Sequence, residues 1–166
     1  MKHLLLAILV SAAAPAIAKD APVWRVVGQP GDAVFALTVP IGDLTWTFQC
    51  EAETVALMQT GVTELMDVQT GQKIPDEPGS KMTPGAAVMG LLTDKANSGM
   101  LPALARPNAV RGWDMLVRLP KNDSALRGMG KAKMIVVMTT GFTAAVNTSA
   151  EDRVVIADFL KRCLNG

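Results

Sequence analysis

Cys50 and Cys163 are the two residues best placed by type to make a covalent structure, and no other cysteine occurs. Their wide separation excludes C-x-x-C redox chemistry and c-type haem attachment. Two thiolates without a histidine partner also cannot build the usual four-ligand zinc site. The only histidine, His3, lies in the first residues of the chain, and tyrosine is absent. Ser-His-Asp, Cys-His and H-E-x-x-H arrangements are therefore not available to the rest of the chain. Serine–lysine hydrolysis needs S-x-x-K, and neither Ser80, Ser98, Ser124 nor Ser149 is followed by Lys at that spacing. No G-x-S-x-G, P-loop or Rossmann glycine pattern occurs, and Gly128-Met129-Gly130-Lys131 is too short to count.

Carboxylates remain. Glu51 and Glu53 stand two apart, which places them on one face of a strand, and Glu64 and Asp67 are further candidates. A carboxylate pair can hydrolyse glycosidic bonds when suitably spaced. The commoner role for acids in this pattern is a solvated sheet face. A calcium loop of the D-x-D-x-D-G kind is absent. Thioethers bind Cu(I), but the methionines, Met115, Met134 and Met138 among them, form no M-x-M and lie in apolar runs that read as adaptable core filling. Catalytic, metal and cofactor sites are accordingly all expected to be absent.

Charge is unevenly placed. From Lys19 to Asp94 there are four bases (Lys19, Arg25, Lys73, Lys81) against ten acids. From Arg106 to Lys133 there are seven bases (Arg106, Arg111, Arg118, Lys121, Arg127, Lys131, Lys133) against two acids. These seven form a candidate surface for an anionic partner, either an envelope polymer or a protein. The alternative is that acidic and basic strands neighbour one another and neutralise. Nucleic acid is not expected, because the chain after the leader is neutral.

That leader is Met1 to Ala18. Lys2 and His3 precede the apolar run Leu4–Val10, and Ala16-Ile17-Ala18 has the small residues of a cleavage site. This is the pattern of a secretory signal, cut after Ala18. The run is too short to span a bilayer, which needs ~20 residues, so no transmembrane anchor is expected after cleavage. The chain has 166 residues and a formal charge of +1, and the charge falls to zero when Lys2 is removed with the leader. Residues 19–166 should form one β-rich domain, exported to a periplasm or secreted. In an oxidising compartment an even cysteine count reads as a disulfide, here Cys50–Cys163.

The elements that must position these residues follow from periodicity. Leu44, Trp46, Phe48 and Cys50 alternate against Thr45, Thr47 and Gln49, the signature of a half-buried strand. Phe35, Leu37 and Val39 alternate likewise, and Pro40–Asp43 joins the two as a hairpin. Val23–Val27 and Thr54–Thr60 read as further strands. Thr63–Val68 and Lys73–Ile74 flank a turn, and Pro75–Gly85 reads as an exposed Pro/Gly loop. Ala86–Thr93 is apolar but fits helix or strand equally. Asp94–Arg111, interrupted by Pro102 and Pro107, has little period. Trp113, Met115, Val117 and Leu119 mark a strand ended by Pro120. Asp123 caps a helical turn, and Lys133–Thr139 with Phe142–Asn147 makes a hairpin around Gly141. Finally Ile156, Phe159, Leu160 and Cys163 form one stripe of a C-terminal amphipathic helix capped by Ser149. The predicted fold is mainly β (or α+β), a single antiparallel sheet or sandwich closed by that helix. Both cysteines fall on predicted core faces.

This layout, a leader, then a β domain with one cysteine in an early strand and one near the C-terminus, resembles that of invasion-associated locus B proteins. The likeness is of order alone and transfers no site residue. The expected function is a disulfide-tied periplasmic binding or envelope-interaction protein that is not an enzyme. Its alternatives are a small carboxylate-dependent hydrolase acting on glycans and a subunit of a β-rich oligomer marked by an exposed Trp24 or Trp113.

Overall fold

The computed structural model describes residues 22–75, 82, 85–110 and 112–165. The segment Met1–Ala18 expected to be a leader, most of the Pro75–Gly85 loop and Arg111 lie outside the described residues. The elements, in order, are β1 (Arg25–Val27), β2 (Ala36–Ile41), β3 (Leu44–Cys50), β4 (Thr54–Val62), β5 (Val88–Thr93), β6 (Leu101–Pro102), β7 (Leu104–Pro107), β8 (Trp113–Pro120), α1 (Ser124–Gly128), β9 (Met134–Thr139), β10 (Phe142–Asn147) and α2 (Ala150–Leu164). A 3-10 turn, Met129–Lys131, follows α1.

The fold is mainly antiparallel β with one C-terminal helix, as expected, but it has two sheets where periodicity leaves a single sheet or a sandwich open. The strands form two antiparallel sheets, one in the order β1-β2-β3-β4-β8-β7 and one in the order β10-β9-β5-β6. The physical reason lies in Asp94–Arg111, where periodicity predicts no strand. Leu101–Pro102 pairs with β5, and after the single residue Ala103 the chain pairs with β8 as Leu104–Pro107. One short segment thus forms an edge of both sheets. Its prolines fit because an edge strand has one side on which no N–H is required. The apolar run Ala86–Thr93 resolves as strand β5, packed centrally between β9 and β6.

Period-two alternation builds the core. In β8, Trp113, Met115, Val117 and Leu119 are buried while Asp114, Leu116, Arg118 and Pro120 are not. Registered rows cross the first sheet on its inner side, for example Leu37, Phe48, Leu57 and Val117 on adjacent strands. The second sheet adds Met89, Leu91, Ile135, Val137, Ala144 and Val146 to the same cluster of buried residues. Trp24 and Trp113 are both buried, at 3% and 1% exposure, so neither marks an exposed oligomer patch. At the β4 bulge the register shifts between Gln59 and Val62. Gly61 there has φ +78°, and a Cβ would lie 2.8 Å from the Asp43 carbonyl oxygen, so the bulge requires glycine.

Helix α2 begins with a capping box: Ser149 accepts from the Asp152 N–H and Asp152 accepts from the Ser149 N–H. Glu151 and Asp152 at its start and Lys161 and Arg162 at its end complement the helix dipole. Its buried residues are Ile156, Phe159, Leu160 and Cys163, the predicted stripe. Phe159 packs on Phe35 with ring centroids 5.1 Å apart. Cys163 is bonded to Cys50, with Cα atoms 5.7 Å apart, so the helix is tied to the end of β3. The 3-10 turn approaches α2 so closely that a Cβ on Gly130 would stand 3.0 Å from that of Ala157.

Two expected outcomes test this packing. Closing a loop of roughly 100 residues is worth ~4.7 kcal/mol in the chain-entropy model. The double variant Cys50→Ser, Cys163→Ser should therefore lose about 2–5 kcal/mol in chemical denaturation; an unchanged midpoint would show that the helix docks without the bond. Gln59 is fully buried in β4 between Trp46 and Met115, and neither its amide nitrogen nor its oxygen has a hydrogen-bond partner. An unsatisfied buried polar group costs ~1–3 kcal/mol, so Gln59→Met should raise stability by a comparable amount. A drop in the denaturation midpoint would contradict that account.

Candidate functional site

The outward side of the first sheet carries a band of residues set by the same alternation. One registered row runs Arg25, Thr38, Thr47, Met58, Leu116, Leu104 across all six strands. It is polar over β2 and β3 and apolar over β4, β8 and β7. At the apolar end, where the chain crosses from one sheet to the other, two adjoining grooves open. The larger, of about 670 Å³, is lined by Leu101, Ala103, Leu104, Leu116, Arg118 and neighbours from β6 to β8. The smaller, of about 330 Å³, is lined by Met58, Leu104, Arg106, Asp114, Leu116 and Arg118. Leu104, Ala105, Leu116 and Arg118 are common to both. Leu104 is 69% exposed on the edge strand.

The guanidinium groups at this groove are held by carboxylates. Arg118 donates from Nε at 2.9 Å and from its terminal nitrogen at 3.2 Å to the two oxygens of Glu51. The Thr54 hydroxyl donates to the same carboxylate at 2.6 Å. Those hydrogen bonds, from Arg118 first and Thr54 second, hold the Glu51 carboxyl below its ordinary range. Arg118 is in turn pushed up by the bond to Glu51. Arg106 Nε stands 3.6 Å from Asp114, which also accepts from Asn108 at 2.6 Å.

The seven predicted bases are thus only partly gathered. Arg106 and Arg118 share the groove. Lys121 lines a separate cleft of about 390 Å³ beside the disulfide, with Asp32, Phe35 and Arg162. Arg127 donates to the Lys121 carbonyl at 3.0 Å. Lys131 ends the 3-10 turn and Lys133 precedes β9, and no ion pair holds either among the described residues. Arg111 lies outside the described residues.

The candidate acids are brought to different tasks. Glu51 is bound by Arg118, and Glu64 stands 3.7 Å from Lys73. Asp67 accepts from the Gln69 and Thr70 N–H groups in the turn that the sequence predicts. Among the described residues no group of three or more His, Cys, Asp or Glu stands together as a metal site would need. Met89, Met115 and Met129 are buried in the core, whereas Met58 lines the groove.

The groove's apolar lining is what sequence reasoning missed. Burial alternates strictly from Leu101 to Arg106, with Leu101, Ala103 and Ala105 half-buried against exposed Pro102, Leu104 and Arg106. Residue type does not show that period, because the outward Leu104 is apolar and Pro102 and Pro107 read as interruptions. Among the described residues no helix is long and apolar enough to cross a membrane.

The Glu51–Arg118 pair predicts a pH dependence. A carboxyl whose folded pKa lies below its ordinary value of 4.5 stabilises the fold above that value. The contribution disappears as pH falls through the lowered pKa. Wild type should therefore exceed Glu51→Gln in urea midpoint near neutrality, and the gap should close in mild acid. A gap that stays constant across that window would show that Glu51 acts through shape and not charge.

No protein-family model matches the chain, and neither a curated protein nor a solved structure matches it. The likeness to invasion-associated locus B proteins rests on layout only.

Proposed function

We propose that the protein is an exported binding domain, its two sheets arranged as a sandwich, that holds an apolar segment of an envelope protein in the groove over β7 and β8. The single observation that carries this reading is the combination of a largely apolar floor (Leu101, Ala103, Leu104, Leu116) with two guanidiniums, Arg106 and Arg118, at one site. Concave apolar surface with a few convergent polar groups is the usual form of a recognition site. An exposed apolar edge such as Leu104 has a physical reason when a partner covers it.

An apolar floor favours a protein segment over a highly charged polymer, whose solvation it would strip without replacing. Arg118 and Arg106 supply the orienting charge. Each already faces a carboxylate, so an acidic group on the partner would exchange with, or join, Glu51 or Asp114. The leader at Met1–Ala18 and the Cys50–Cys163 bond support export. A carboxyl held below its ordinary pKa is a poor general acid at neutral pH, so Glu51 serves as the partner of Arg118 and not as a proton donor.

Site-specific photo-cross-linking tests the proposal. A cross-linking residue at Leu104 of the full chain, expressed in its own envelope, should give one discrete protein adduct. Arg106→Glu with Arg118→Glu should abolish that adduct. No adduct, or one indifferent to both reversals, would remove the groove from consideration.

A further inference from the structure

A sheet leaves two edges, and each edge strand presents backbone N–H and C=O groups that no neighbour takes. Three of the four edges here are blunted. β1 has three residues, carries Arg25 and is flanked by Val154 and Val155 of α2. β6 has two residues, one of them Pro102. β7 has four, with Arg106 and Pro107. The fourth edge, β10, is different. It is six residues long, Phe-Thr-Ala-Ala-Val-Asn, with neither charge, proline nor glycine. Its partner β9 is also free of charge.

The register says which groups are open. Thr139 and Phe142 face each other across the Thr140-Gly141 turn, and the pairing continues to Asn147 opposite Met134. The next residue, Thr148, donates its N–H to the Lys133 carbonyl at 3.0 Å. Hydrogen-bonded pairs alternate along an antiparallel ladder. Phe142, Ala144, Val146 and Thr148 therefore bond towards β9, while Thr143, Ala145 and Asn147 point their N–H and C=O groups away from it. Among the described residues no backbone group bonds to these three on that side. Their side chains are exposed as well.

We propose that β10 pairs antiparallel with β10 of a second copy of this chain, joining the two four-stranded sheets into one. The strand is complementary to itself. A two-fold axis through Ala145 sets Ala145 opposite its own copy and Thr143 opposite Asn147, so each facing pair exchanges both of its bonds. The small Ala145 side chains allow close approach at the axis, and Thr143 and Asn147 can hydrogen-bond across it. No like charges from β9 or β10 meet. Such an interface is isologous and closes at two copies. It uses the side of the molecule remote from the groove's β7 edge in strand order, and does not depend on the function proposed above.

Sedimentation of the chain without its leader tests the pairing. A reversible monomer–dimer equilibrium should appear between micromolar and millimolar concentration. Ala145→Pro removes only an outward N–H and leaves the β9 ladder intact, so dimerisation should weaken roughly tenfold or more through the loss of two hydrogen bonds. Ala145→Lys places two cations at the axis and should weaken it similarly. If one variant fails to fold, the other decides. Ala145→Cys should oxidise to a covalent dimer, because a hydrogen-bonded pair has Cα atoms about 5.5 Å apart, within the ~4.4–6.8 Å that a disulfide spans. Val154→Cys, exposed on α2, should not. A monomer at every concentration, or a dimer insensitive to the folded Ala145 variants, overturns the proposal.

Discussion

Helix α2 meets the sheets through few residues, and the bond between Cys163 and Cys50 is the covalent one among them. Around it the contacts are aromatic and cationic. Phe159 packs on Phe35, and the Arg162 guanidinium lies 5.0 Å over the Phe35 ring. Arg162 also pairs with Asp158 at 3.1 Å, one helical turn earlier. The Cys50 N–H meanwhile donates to the Phe35 carbonyl at 2.8 Å, so the residue that carries the sulfur is fixed against the same phenylalanine. The end of β3, the start of β2 and the last turn of α2 thus form a single cluster. The position of the helix over its sheet depends on this corner, and so does the shape of the cleft beside it.

The strands were legible where alternation ran unbroken. Trp46 and Phe48 in β3, and Trp113 to Leu119 in β8, gave both the element and its buried face, because a period of two leaves no other assignment. The cysteine pair was legible from its even count, with Cys50 on the alternating strand and Cys163 on the helical stripe. The crossover was not. Leu101 to Arg106 alternates in burial but not in residue type, since the exposed Leu104 is as apolar as the half-buried Leu101, and nothing in a linear sequence marks an edge. A sheet and a sandwich therefore both stayed open in the sequence, because the segment that passes between the two sheets carries no strand signal.

Charge was legible in composition and not in space. The basic stretch from Arg106 to Lys133 spans β7, β8, α1 and the start of β9, which point in different directions. Arg118 meets Glu51, a residue far earlier in the chain, only because β4 lies between β3 and β8. Arg106 and Arg118 face carboxylates, as the neutralising alternative has it, and among the described residues Lys121, Arg127, Lys131 and Lys133 lie away from the groove. The groove depends on neither. It exists because the chain leaves one sheet for the other beside Leu116.

The Cys50–Cys163 link also orders events in time. Cys163 comes after every described strand, whereas Cys50 ends the third. During synthesis the Cys50 thiol therefore emerges early and has no partner while seven further strands are made. Cys163 can meet it only once α2, the last element, has been made. The bond therefore cannot form until nearly the whole chain exists, and an oxidant acting earlier would find only a cysteine on its own.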